Sequence, residues 1–179
     1  MDTAMRSPSS QRVILGALTI FGLMTAFTYQ AIGHGDDEGA VREALLKSAT
    51  SFEKNDVATA TKVWANDESL TVFESGHANY GWADYRDHHL VPEMREMKNT
   101  KYGFTDIRVH LAGKTAWATF KYTISADVVE NGKTRHVDGA GLGTAVLEAR
   151  AGQWRIVHWH SSAPRRPAVP VATPKNPRQ

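Results

Sequence analysis

Cysteine is absent from the 179 residues, which removes disulfide frameworks, thiolate nucleophiles and cysteine metal sites in one step. Charge of one sign is also scarce. The formal net charge is +2, with 21 Lys and Arg against 19 Asp and Glu. Much of that excess lies near the end, at Arg165, Arg166, Lys175 and Arg178, with no acid after Glu148. The remainder is near neutral and has no basic stripe, so a nucleic-acid partner is not expected. Internal repeats are lacking as well. Proline is rare through the middle: between residues 34 and 163 Pro92 stands alone, while five of the seven prolines fall in "APRRPAVPVATPKNPRQ".

The long uncharged apolar run lies near the N-terminus. "VILGALTIFGLMTAF" (Val13 to Phe27) follows Arg6 and Arg12 and precedes the polar, acidic "TYQAIGHGDDEG". That order of basic, apolar and polar segments is the pattern of a secretory signal, and Ala31-Ile32-Gly33 offers small residues for cleavage. An uncleaved anchor is the alternative, because Val13 to Gly33 spans 21 residues. Both place the domain outside the cytoplasm, periplasmic or secreted, with contact to a membrane only through this segment. Three parts follow: 1–33 as leader or anchor, 34–163 as one folded domain, and 164–179 as a proline-rich tail without packed structure.

Within the domain, "DDEGAVREALLKSATSFEKND" repeats Val41, Leu45, Ala49 and Phe52 at helical spacing. "DVATATKVWA" predicts a second helix capped by Asp56. "SLTVFES" predicts a strand and "GHANYG" a loop. "WADYRDHHLVPEMREM" predicts a third helix with a kink or fresh start near Pro92. The rest alternates as strands: "YGFTDIRVHLAG", "KTAWATFKYTISADVV", "RHVDGAGLGTAVLEAR" and "WRIVHWHSS". "ENGK" marks a hairpin, and "GAGLG" reads as a bulge or sharp bend. Helices first and a meander after predict an α+β fold, with about three helices on one face of a bent antiparallel sheet.

Three groups of residues bear on chemistry. His158 and His160 flank Trp159 on the final strand, where alternation puts both imidazoles on one face, about 7 Å apart. Such a pair suits a metal, a ligand's polar group, or two ordinary hydrogen-bonded side chains. A metal would need further ligands from His77, His88, His89, His110 or Glu93. Trp82, Tyr85 and His89 share one face of the third helix and suit the wall of a small-molecule site; a core role for the aromatics is the alternative. The acids Glu74, Asp87, Glu93, Asp106 and Asp138 are candidates for proton transfer, but none stands in a recognisable motif. Among the tryptophans, Trp64 and Trp117 are expected in the core. Trp154 is expected to share a face with Ile156, His158 and His160. Trp159 would face the other way, as core or as a dimer interface.

Three stretches, "GQWRIVHWHSSAP", "GWADYRDHH" and "GTAVLEARAGQW", carry a resemblance to the nuclear transport factor 2-like superfamily. Within it the chain is similar to the SnoaL-like branch and to the association domain of calcium/calmodulin-dependent protein kinase II. The likeness covers roughly residues 38 to 163. It implies a cone: a strongly bent sheet around helices, with a pocket at the open end and pairing through the outer sheet face. Related isomerases and cyclases use a pocket carboxylate as proton shuttle, and the kinase module forms rings. The expectation is therefore an exported, homodimeric domain that binds a small, mostly apolar molecule, lined by Trp82, Tyr85, His89, His158 and His160. Proton transfer or hydrolysis is an open further step. No cofactor and no metal is expected. The alternatives are a homo-oligomeric interaction module without a pocket ligand, or a histidine metal site.

Overall fold

The computed structural model describes residues 34–130 and 132–164. The expected leader or anchor, and the tail from residue 165, lie outside the described residues.

Helix α1 (His34–Glu53) turns Val41, Leu45, Ala49 and Phe52 inward; all four are buried. It is tied to the sheet at both ends. Trp154 Nε1 donates to Asp37 Oδ1 at 3.1 Å, and the Tyr102 backbone N–H donates to Glu53 Oε1 at 2.7 Å. Helix α2 (Val57–Val63) starts at Asp56, whose Oδ1 accepts from the Thr59 backbone N–H at 2.9 Å and whose Oδ2 accepts from the Thr59 hydroxyl at 2.6 Å. The third helical segment has three parts. Trp82–Tyr85 (α3) is followed by a wide π-helical turn, Arg86–Leu90, and by Val91–Glu96 (α4), whose first turn holds Pro92. Proline supplies no N–H, so the chain widens before it and restarts helical at its preferred position.

Six strands form one sheet in the order β2-β1-β6-β5-β4-β3. They are β1 (Thr71–Glu74), β2 (His77–Tyr80), β3 (Met97–Ala112), β4 (Thr115–Glu130), β5 (Lys133–Arg150) and β6 (Gln153–Ser162). All neighbours are antiparallel except β1 and β6, which are parallel. The α+β class and the helix-then-meander order are as expected from the sequence. The loop expected over "GHANYG" is instead strand β2. Glu74 pairs with His77 across Ser75-Gly76, and both turn residues have positive φ, 52° and 82°, the tight hairpin geometry.

The bulges lie elsewhere than expected. β4 and β5 pair without a register shift through "GAGLG". Its glycines make room instead: a Cβ on Gly143 would come within 2.2 Å of the Phe120 ring, and one on Gly141 within 2.6 Å of Tyr122. The register shifts fall between Lys98 and Lys101, between Thr105 and Arg108, and between Val146 and Leu147. Asn99 and Asp106 sit in the first two with φ of 52° and 51°, left-handed conformations these residue types tolerate. Bulges bend strands, which curves the sheet around α1.

The third bulge decides which side chains face the core. Val146 pairs with His158 and Leu147 with Ile156, so Val157 is the extra residue. Simple alternation therefore fails across it. Trp154 and Ile156 point inward, but so does Trp159, only 2% exposed and packed on Trp64, Phe104 and Phe120 with ring centroids 5.4, 5.8 and 5.0 Å away. His158 and His160 point outward. This corrects the expectation that the two histidines share a face with Trp154 and lean into the cone. Trp117 is corrected as well. It is 43% exposed on the outer face, stacked on His110 at 5.0 Å rather than in the core.

Candidate functional site

The inner face of the sheet, α1 and the third helical segment enclose a cavity of about 150 Å3. Its aromatic wall is Phe52, Trp64, Tyr85, Tyr102, Tyr122 and Trp159. Two carboxylates complete it, Glu74 from the end of β1 and Glu93 from α4. Glu74 arrives there by register. Val72 and Glu74 point inward beside Trp159 and Ser161, while Thr71 and Phe73 point outward beside His158 and His160.

Glu74 is held on one oxygen. The Ser161 hydroxyl donates to its Oε1 at 2.6 Å. Burial pushes its carboxyl pKa up. Ser161 partly counters this, the Glu93 carboxylate adds to it, and His89 opposes it. An acid so placed holds its proton to higher pH than a surface glutamate does.

His89 stands behind this pair. Its Nε2 lies 3.6 Å from Glu74 Oε2 and 3.5 Å from Glu93 Oε1. Its Nδ1 lies 2.9 Å from Asn79 Oδ1. Asp84 orients that amide, because its Oδ2 accepts from Asn79 Nδ2 at 3.2 Å. The carbonyl end of Asn79 therefore faces His89, and Nδ1 must donate. Nε2 faces only acceptors, so the arrangement favours the imidazolium. The His89 pKa is accordingly raised, chiefly by Glu93 and against the cost of burial. The π-helical turn places this ring; wide turns of this kind recur at functional sites.

Tyr85 is 5% exposed and its hydroxyl makes no hydrogen bond to the described residues. No fully enclosed side-chain oxygen or nitrogen among the described residues lacks a partner, so this hydroxyl borders the cavity space. Burial and the field of Glu74 raise the pKa of Tyr85 and of Tyr102, which keeps both phenols protonated.

Of the five residues expected to line a ligand site, Tyr85 lines this cavity. His89 stands at its acidic edge without lining it. Trp82 is buried beside Tyr85, ring centroids 6.2 Å apart, and packs in the core. His158 lies on the outer face, its Nδ1 2.6 Å from the Thr71 hydroxyl and its ring against Phe73, and His160 is exposed on the same face. Of the five acids, Glu74 and Glu93 reach the cavity. Asp87 pairs with Arg86, Asp106 with Lys121, and Asp138 lies near His136, all on the surface. Among the described residues no three His, Asp or Glu side chains are grouped to hold a metal ion. The sequence did contain a pointer to the site: His89 and Glu93 lie four apart on one helical face.

A curved six-stranded sheet closing an acidic, aromatic cavity over three helical segments defines a nuclear transport factor 2-like cone. The SnoaL-like domain model matches residues 41–166, and the chain belongs to that family. Solved structures agree. A nuclear transport factor 2-like superfamily protein from Salmonella enterica serovar Typhimurium aligns with a TM-score of 0.67 at 19% identity, over 78% of this chain and 99% of that one. A candidate dehydratase of the same family from Streptomyces avermitilis aligns at 0.64 and 16% identity, over 72% and 97%. A candidate ketosteroid isomerase from Shewanella frigidimarina aligns at 0.55 and 20% identity, over 69% and 94%. At these identities the likeness is one of fold. No curated protein matches the chain.

Proposed function

We propose that the domain binds one small, mostly apolar molecule in the cone cavity and moves a proton on it, with Glu74 as the acid–base group. The observation that carries this reading is the state of Glu74: a half-buried carboxyl with a raised pKa, one oxygen held by Ser161, set in an aromatic cavity. A general acid or base works best when its pKa approaches the working pH, and burial moves a carboxyl that way. Ser161 immobilises Oε1 and leaves Oε2 to exchange a proton. The protonated Tyr85 and Tyr102 hydroxyls are available to donate to a carbonyl or hydroxyl oxygen. His89 sits beside both acids and stabilises whichever is ionised. A cavity of this size holds a group about as large as benzene. Isomerisation and dehydration, named for two structural neighbours, both move protons.

The reading extends to assembly and location. The outer face exposes Phe73, Tyr80, Trp117 and Leu142, an apolar surface suited to pairing with a second copy. The basic, apolar and polar order of residues 1–33 supports export, to the periplasm or outside the cell.

A fragment screen by ligand-observed NMR tests the cavity, using aromatic and carbonyl compounds of benzene size. Saturable binding to the wild type is expected, with loss in Ile124→Trp, which fills the cavity. For any compound turned over, Glu74→Gln should lower kcat by at least about a hundredfold while leaving the Kd within a few-fold. Absence of binding, or binding that Ile124→Trp leaves intact, would overturn the proposal.

A further inference from the structure

We infer that the ligand of the cone cavity is a small organic cation, an alkyl or arylalkyl amine bound as its ammonium ion. This rests on the cavity being a binding site, and it names the charge class of what enters. The first observation is the sign of the lining. Glu74 and Glu93 are its charged residues, and no Lys, Arg or His among the described residues lines it. The nearest cation, His89, stands at the edge and balances one carboxylate of the two. Among the described residues neither acid has an arginine or lysine partner, the ordinary means of neutralising paired acids.

The second observation is the aromatic cage. Trp64 has Tyr85 at 4.9 Å and Trp159 at 5.4 Å between ring centroids. Tyr102 has Phe52 at 5.7 Å and Tyr122 at 6.0 Å. Six aromatic side chains thus line a benzene-sized space that also holds the two acids. Aromatic faces and carboxylates both attract an alkylammonium.

The third observation is the Tyr85 hydroxyl, on a side chain 5% exposed, with no partner among the described residues and the cavity beside it. Its oxygen can accept an ammonium N–H. Glu74 Oε2, not engaged by Ser161, is a further acceptor. An anion would meet two acids of which His89 balances one, and the other repels it. A neutral carbonyl compound could use the tyrosine hydroxyls but would leave the carboxylate that His89 does not balance without a cation.

Isosteric pairs separate these cases. Benzylamine and benzyl alcohol share a ring and a polar atom but differ in charge, and tetramethylammonium adds a cation with no N–H to donate. Binding to the purified full chain is measured by calorimetry and by chemical-shift changes. The inference expects benzylamine to bind at least tenfold tighter than benzyl alcohol. It expects tetramethylammonium to bind more tightly than tert-butyl alcohol, a neutral compound of similar size. The preference should fall to within about twofold in Glu74→Gln/Glu93→Gln, and benzyl alcohol binding in that variant shows that the cavity survives. Equal binding of benzylamine and benzyl alcohol to the wild type would overturn the cation while leaving a cavity-binding function standing. Binding of neither, together with a blank fragment screen, would remove both.

Discussion

The two faces of the sheet use the same strands to opposite ends. Along β1 and β6 the inner positions are Val72, Glu74, Trp159 and Ser161, and the outer positions are Thr71, Phe73, His158 and His160. The inner face is concave, aromatic and acidic. The outer face is open, with Phe73, Trp117 and Leu142 exposed and histidines among them. One inserted residue, Val157, decides which side chain belongs to which face. A slip of one in a strand exchanges every side chain between core and solvent, and a bulge makes that exchange part-way along. The histidine pair that stands out in "RIVHWHSSAP" therefore belongs to the surface, while the tryptophan between them belongs to the cavity.

That contrast can be broken most severely at Trp159. Trp159→Ala removes a ring enclosed by Trp64, Phe104 and Phe120 and should cost about 3–5 kcal/mol in urea unfolding. The same change at Trp117, half open on the outer face, should cost about 1 kcal/mol or less in the monomer. Gly143→Ala comes next, because its Cβ would press on the Phe120 ring: about 1–3 kcal/mol is expected. On the outer face, Phe73→Glu with Leu142→Glu should leave the far-ultraviolet spectrum unchanged and convert the proposed dimer to monomer in sedimentation.

The smallest effect sharpens the inner face alone. A carboxyl whose native pKa lies above its unfolded value binds more protons in the folded state. Its ionisation then costs stability as pH rises from about 4.5 through the native value. Glu74→Gln should remove that cost, raising Tm by a few degrees at pH 8 and hardly at all at pH 4. His89, whose pKa is also raised, runs in the same direction: its favourable pairing is complete below its ordinary pKa of 6.5 and is lost as pH climbs through the native value. His89→Gln should therefore destabilise more at pH 5.5 than at pH 9.

Much of the fold was legible because periodicity reports which side of an element is apolar. α1 showed its buried stripe, Asp56 its cap, and the four long strands their alternation. What was not legible depended on partners distant in sequence. The Val157 bulge exists because Ile156 and His158 must pair with Leu147 and Val146, and nothing in "RIVHWH" announces an extra residue. The "GAGLG" glycines suggested a bulge locally, yet they answer to the Phe120 and Tyr122 rings on β4 and to the Ser162 carbonyl on β6. The site was half visible. Tyr85 and His89 stood out on the third helix, and Glu74 and Glu93 were among five acids with nothing to rank them. Only the convergence of β1, α4 and the π-helical turn selects those two.

The most direct test is a carbon-13 NMR titration of the Glu74 side-chain carboxyl, in the empty protein and with saturating benzylamine or benzyl alcohol. The account predicts a midpoint clearly above 4.5 in the empty cavity, lowered by benzylamine and left high by benzyl alcohol. A midpoint near 4.5 that neither compound moves would contradict it.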